Sequence, residues 1–268
     1  TLLNLSNKCW WKELGYETLI IATNGSKELK NKGINVYLEA LNRLTRDKNL
    51  QKDVLAFIKV PSWVGEPRQD LLDRLKSKEK FDTPLHCPFI THWLHNMSQD
   101  QVLDMLKYMG MSNSKESKVK VIFIPCYMDG HDGIMDITYY DLVLGNDMTV
   151  YPSYYEPWGY TPLESVAFHV PAITTDLAGF GLWVNSLMGK YSELKDGVKV
   201  IHRSDYNYSE VADAIKDTIS EFSSLKETEI KKIRKNAESI AEKALWKHFI
   251  KYYYEAYDIA LRNAQKRL

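Results

Sequence analysis

The stretch MTVYPSYYEPWGYTPLES, residues 148–165, reads as a strand, a stiff loop and a helix start in succession. MTVY is a short run of sheet-forming residues. Pro152 ends it, because proline has no N–H to give a neighbouring strand. A polar, aromatic loop follows. Thr161-Pro162-Leu163-Glu164 then reads as a helix opening, with Thr161 at the N-cap, Pro162 in the first helical position and Glu164 closing a capping box. The free N–H groups of such a first turn, with the helix dipole, suit a phosphate-type anion. Gly159 would let the backbone approach a ligand closely.

Two carboxylates stand in this stretch. Capping alone would explain Glu164. Glu156 has no such explanation. It sits between Tyr155 and Pro157, and the proline stiffens the backbone beside it. A rigid surface loop would account for the prolines, but not for this density of Tyr, Trp and Gly. A carboxylate fixed in that way reads as an acceptor for ligand hydroxyls, with aromatic faces near it for a sugar or a base.

Outward from this segment, apolar runs recur at ETLIIAT (17–23), DVLAFIKV (53–60), KVKVIFIP (118–125), VPAITT (170–175) and VKVIH (198–202). Most are apolar throughout instead of alternating, the pattern of parallel strands covered on both faces. Helical spacing fills the intervals. Residues 31–46 carry Ile34, Tyr37, Leu38, Leu41 and Leu44; residues 98–110 run from a Ser98 cap to Gly110; residues 137–145 stop at Gly145; residues 209–222 repeat the pattern. The alternation predicts a doubly wound Rossmann-like parallel sheet, with ligands at the carboxyl ends of its strands. The 61–97 region is less periodic and reads as a loop-rich excursion with one helix near 68–78. Residues 226–243 are highly charged, and 244–265 form a long helix whose apolar face is wider than one contact needs.

The chain has 268 residues, 44% hydrophobic and 26% charged, which suits one domain with a buried core. Its 35 basic and 35 acidic residues cancel, so no global charge argues for nucleic acid or an anionic membrane. No apolar run would span a bilayer, and no signal-peptide pattern opens the sequence. Cys9, Cys87 and Cys126 lie far apart without a CxxC pair and read as free thiols of a reducing, cytoplasmic setting. No His/Asp/Glu cluster shows metal-ligand spacing; the nearest, His131-Asp132 in a Gly-rich loop, reads as solvated. The expectation is no metal. The first residue is Thr1, which reads as a segment cut from a longer polypeptide.

YPSYYEPWGYTPLESVAFHVPAITTDLAGFG (151–181) closely resembles the matching segment of glycogen synthases of the animal and fungal type. KELKNKGINVYLEALNRL (27–44), VKVIFIPCY (119–127), the Tyr139 helix and ALWKHFIKYYYEAYDIAL (244–261) extend the resemblance, in order, along nearly the whole chain. These are retaining glycosyltransferases built from two facing Rossmann-like domains, the GT-B fold. The resemblance implies that residues 1–268 are the C-terminal domain, which binds the donor sugar nucleotide, usually UDP-glucose, without a metal or other cofactor. Glu156 matches the carboxylate that meets the donor glucose, and Lys32 the lysine that neutralises the leaving diphosphate. Trp158, Gly159, Tyr160 and Thr161 match the loop and helix start at the sugar and diphosphate, Glu164 the ribose ligand, and Tyr127 and Tyr139 the residues flanking uracil. Core packing is the other reading of those two tyrosines.

The implied reaction extends an α-1,4-glucan with retention. The implied partners are the nucleotide sugar, the glucan acceptor and an N-terminal domain absent from this chain, onto which helix 244–265 would pack; a homo-oligomer is compatible with this. Alone, the chain is expected to be inactive. Two positions depart from the family. Ser26 stands where the family has a phosphate-binding Arg, leaving Lys27 as the substitute, a point charge in place of a bidentate fork. The family's Arg-rich regulatory helix reads ETEIKKIRKN here (227–236), so activation by sugar phosphate is not expected. A non-catalytic nucleotide- or glucan-binding module of the same fold, or a transferase using another nucleotide sugar, are the alternatives.

Overall fold

The computed structural model describes residues 15, 17–79, 81 and 83–267. Cys9 lies outside them; Cys87 and Cys126 are free thiols.

In chain order the strands are β1 (Leu19–Asn24), β2 (Val54–Lys59), β3 (Val64–Pro67), β4 (His92–Leu94), β5 (Val119–Ile124), β6 (Met148–Val150), β7 (Ala172–Thr175) and β8 (Val198–Ile201). The helices are α1 (Ile34–Leu44), α2 (Gln69–Lys76), α3 (Gln101–Tyr108), α4 (Tyr139–Leu144), α5 (Tyr160–Ala167), α6 (Gly179–Met188), α7 (Tyr208–Ser224), α8 (Glu227–Lys243) and α9 (Trp246–Gln265).

Six strands form one sheet in the order β5-β2-β1-β6-β7-β8, and every pairing in it is parallel. All six expected runs are strands of this sheet. The chain winds outward from β1 through β2 to β5, then returns to β1's other side and winds through β6, β7 and β8. The reversal puts the switch in strand order between β1 and β6, where Ile21 and Ala22 face Met148 and Thr149. Ligand crevices of open parallel sheets open there, beyond the strand ends.

Parity along the strands explains the continuous apolar runs. Val54, Ala56 and Ile58 enter the core under α1, α3 and α7, while Leu55 and Phe57 enter the core with Leu71 of α2 and Leu142 of α4. Both faces are covered, so both parities must be apolar. A third cluster, with Tyr151, Val166, Phe180, Val184 and Ala237, lies under α5, α6 and α8.

Two expectations are corrected, and one helix was not foreseen. Helix α3 is capped by Asp100, not Ser98. The Asp100 carboxylate accepts from the Val102 and Leu103 amides at 3.0 and 3.1 Å, and Ser98 lies in the preceding 3-10 turn. Helix α5 begins at Tyr160 after Gly159 in the left-handed region (φ 108°), so Thr161 is inside the helix and no side chain caps its start. Helix α6 has no counterpart in the sequence reading, because Gly179 and Gly181 break the propensity signal. Both glycines are demanded by contact: a Cβ would lie 2.2 Å from the Pro157 carbonyl oxygen at 179 and 2.1 Å from that of Thr175 at 181. The 61–97 excursion holds α2 and an antiparallel ribbon of β3 and β4. Arg68 fixes it from within, fully buried, donating to the carbonyls of His86, Cys87 and Ile90 with its plane 4.4 Å from the Trp93 ring.

Helix α9 buries none of its residues, and every residue from 251 to 267 is exposed. Its attachment is at the N-terminal end, where the Phe249 ring sits 5.7 Å from both Trp158 and Trp183. Among the described residues no helix is long and apolar enough to cross a membrane.

Candidate functional site

A pocket opens at the carboxyl ends of β1 and β6, the switch point. It is lined by Asn24, Gly25 and Ser26 from the end of β1, Lys32 from the turn before α1, Tyr151, Ser153 and Glu156 from the loop after β6, and Tyr160 and Thr161 from α5. Five expected site residues therefore share one wall-to-wall cleft: Ser26, Lys32, Glu156, Tyr160 and Thr161.

At its centre the Lys32 ammonium pairs with the Glu156 carboxylate, residues 124 apart in sequence. Both side chains are about a quarter exposed, at 23% and 25%, so the pair faces solvent through the pocket. Each partner is braced. The Glu156 amide donates to Leu177 O at 3.3 Å, and its carbonyl accepts from Gly179 N at 3.0 Å. Trp158 O accepts from Phe180 N at 2.6 Å. The loop thus satisfies the free N–H groups at the start of α6, which locks the backbone beneath Glu156. On the other side, Gly33 adopts φ 70° at the start of α1, and a Cβ there would lie 2.0 Å from the Pro152 carbonyl oxygen. Tyr154 N donates to Asn31 O at 2.7 Å. The Lys32 turn and the Glu156 loop are fastened to each other through backbone.

Trp158 does not line the pocket. Its ring packs among Phe180, Trp183 and Phe249 at 5.7–6.1 Å, so it is a foundation for the Glu156 loop. Lys27 also lies elsewhere. It pairs with the fully buried Asp100 carboxylate at the cap of α3, 5.5 Å from the Phe123 ring, and is not among the residues lining the pocket. Ser26 lines the pocket but gives its hydroxyl to Glu28 at 2.9 Å; that bond and one from Asn31 hold the Glu28 carboxyl below its usual range, the Asn31 bond contributing most.

Glu164 makes no capping box. It accepts instead from the phenols of Tyr139 at 3.1 Å and Tyr140 at 3.4 Å. Burial, then the neighbouring Tyr151 and Glu164, push the Tyr139 phenol far above its normal range, so it stays a donor. Tyr127 is 77% exposed, which removes the core-packing reading for it; Tyr139 is half-buried. Gly159 lets α5 start against Glu156 and Phe180, whose atoms lie 3.5 Å from where its Cβ would be.

Sequence reasoning missed Asn24, Gly25, Tyr151 and Ser153. Asn24 donates to the Tyr151 hydroxyl at 2.8 Å, which also bonds Ser165 at 2.9 Å; burial pushes the Tyr151 phenol up to about 12. Their only sequence signal is position, since each follows or ends a strand at the switch point. Arg203, buried behind the site, stacks 5.4 Å from the Tyr154 ring, and its Nη1 has no hydrogen-bond partner among the described residues. Arg234 of α8 is tied to His169 O, Asn146 O and Asp147 at the opposite end of β6. As for metals, His92, Cys126 and Asp132 bring donor atoms within 4.8 Å of one another, away from the pocket lining.

The sequence profile of the glycogen synthase family matches residues 71–267. The chain belongs to the glycogen synthase family. Glycogen (starch) synthase of Neurospora crassa is 25% identical over 92% of this chain and 42% of its own length. Isoform 2 of Saccharomyces cerevisiae is 27% identical over 92% of this chain and 43% of its own. The human liver enzyme is 25% identical over 92% of this chain and 42% of its own. The chain therefore spans less than half the length of these glycogen synthases. Among solved structures it is similar to WaaG, a glycosyltransferase involved in lipopolysaccharide biosynthesis, at 14% identity and a TM-score of 0.47 over 85% of this chain and 44% of that one. A likeness of that degree decides nothing here; the sheet order alone gives the Rossmann-like topology.

Proposed function

We infer that this chain is the donor-binding half of a glycogen synthase-type GT-B transferase that takes UDP-glucose. The observation that carries the reading is the Lys32–Glu156 pair, braced from both sides in the crevice between β1 and β6. An incoming diphosphate competes with Glu156 for the Lys32 ammonium. Lys32 then stands where negative charge grows on the leaving UDP, a preorganised cation that needs no reorganisation during the reaction. Glu156, released, offers its oxygens to glucose hydroxyls. Gly159, Tyr160 and Thr161 bring the uncapped first turn of α5 to the sugar and diphosphate. Glu164 accepts from ribose hydroxyls, and Tyr139 and Tyr127 offer faces to uracil. The scheme assigns the diphosphate to protein groups, without a metal ion. Transfer goes to the end of an α-1,4-glucan with retention.

Acceptor groups belong to an N-terminal domain in this reading, and the exposed face of α9 is what reaches it. The chain alone is expected to bind nucleotide weakly and to transfer little glucose. One observation favours a second reading, a non-catalytic module: among the described residues no arginine lines the pocket, with Ser26 held by Glu28 and Lys27 by Asp100.

Calorimetric titration with UDP and ADP tests both. Preference for UDP, weakened in Lys32→Ala and Glu164→Ala, is expected for a donor half. Binding of neither nucleotide, unchanged after Ser26→Arg restores a guanidinium, would sink the donor reading.

A further inference from the structure

Three ligand-type side chains, spread from residue 92 to residue 132, converge beside the carboxyl edge of the sheet. His92 is on β4, Cys126 lies just past β5, and Asp132 sits in the loop leading to α4. One donor atom from each lies within 4.8 Å of the others. Tetrahedral zinc with bonds of ~2.0–2.3 Å wants ligand atoms about 3.3–3.8 Å apart, so closure on an ion asks for shifts of about 1 Å.

The surroundings are those of braced ligands. Asp132 Oδ1 accepts from the Ile134 and Met135 amides at 3.1 and 3.0 Å, and Oδ2 from the Asp136 amide at 2.9 Å. One lone pair on Oδ2 remains to face a cation. The His92 ring bonds Thr91 Oγ1 at 2.9 Å on one side and the Asp132 carbonyl at 2.8 Å on the other. A metal-bound imidazole typically gives its second N–H to such a carbonyl; with Nε2–H so placed, Nδ1 is the ligand nitrogen, and the Thr91 hydroxyl that donates to it turns away when an ion binds. A turn closed by Asp132 and His92 needs no thiol. Yet Cys126 is buried beside them, its sulfur 4.0 Å from Met128 Sδ.

We propose that His92, Cys126 and Asp132 form a structural site for a borderline-soft divalent cation of the Zn2+ type, with a fourth position for water. Binding breaks the Cys126 S–H bond, releases that proton to solvent and forms the sulfur–metal bond, with no change in oxidation state. The ion ties the β3–β4 ribbon to the loop that carries Tyr127 and enters α4 at Tyr139. The loop is also closed by the Asp129–Thr138 bridge and held to β4 by the His92–Asp132 carbonyl bond. The site is separate from the Lys32–Glu156 pocket and does not depend on the donor reading.

The test titrates the whole, chelator-treated chain with Co2+ under a non-thiol reductant, reading the thiolate-to-cobalt charge-transfer band, then displaces it with Zn2+. The expected result is saturation at one equivalent, loss of the band in Cys126→Ser, its retention in Cys87→Ser, and an affinity about tenfold or more weaker in His92→Gln. Absence of the band from the folded wild-type chain overturns the proposal, whatever the variants do. So does a band that persists undiminished in Cys126→Ser.

Discussion

Replacing Gly33 with alanine puts the fastening of the pocket to a quantitative test, because the structure contains its own control. Gly33 and Gly110 share nearly the same backbone angle, φ 70° and 67°. A Cβ at 110 meets nothing within 4 Å, whereas at 33 it falls 2.0 Å from the Pro152 carbonyl oxygen and 2.7 Å from Arg203 Nη1. Gly110→Ala therefore pays the left-handed penalty alone, about 1–2 kcal/mol. Gly33→Ala pays that and must also move a backbone carbonyl by more than an ångström, an overpacking cost of about 1–3 kcal/mol more. For a chain of this size each kcal/mol lowers Tm by roughly 2–4 °C, so the two variants should separate clearly in thermal unfolding. The displaced carbonyl lies in the loop that leads to Glu156, so UDP affinity should fall in Gly33→Ala and hold in Gly110→Ala. Equal Tm values with equal UDP affinity would refute the idea that this contact fixes the pocket.

Two further outcomes follow from other parts of the fold. Lys59 is buried, with Asn146 Oδ1 at 3.5 Å and the Phe57 ring at 5.7 Å, and burial lowers its ammonium to about 7. Between about pH 7 and 10.5 the unfolded chain holds a proton there that the folded chain lacks, so stability should rise with pH across that window. Lys59→Met should stabilise the protein at pH 7 by about 1–4 kcal/mol and flatten that rise, as read by denaturant melts at pH 7 and 10; an unchanged slope would contradict the assignment. Phe249→Ala should cost about 1–2 kcal/mol, dim the near-ultraviolet dichroism of Trp158 and Trp183, and speed amide exchange along α9; exchange no faster than wild type would mean that α9 is held elsewhere.

The sheet was legible because both faces of its strands are buried. Val54 through Ile58 carry no polar residue to confuse the period, and the runs at 17–23 and 198–202 end within a residue or two of the strands found. Helix edges were less so. Thr161 and Ser98 have the right chemistry for caps, but Gly159 and Asp100 hold the positions, and only backbone geometry decides between neighbours. Helix α6 hid behind Gly179 and Gly181, residues that propensity counts against a helix and that close packing against Pro157 and Thr175 requires. In the site, Glu156 stood out for its loop and Lys32 for a family resemblance. Nothing local could have shown that Lys27 turns to Asp100, 73 residues on, or that His92 and Cys126 meet. Those are facts of tertiary approach, and sequence spacing carries no trace of them.

The Trp158 ring packs against Phe180, Trp183 and Phe249 at once. Two residues before it is Glu156, and nearly perpendicular to its ring is that of Phe249, at the root of a helix whose far end is bare. A swing of α9 about its root must either slide Phe249 off both tryptophans or drag the Glu156 loop along. The loop resists, since its carbonyls are spoken for by the amides of α6. The helix is thus rooted one ring away from the loop that carries the carboxylate, with its long arm exposed.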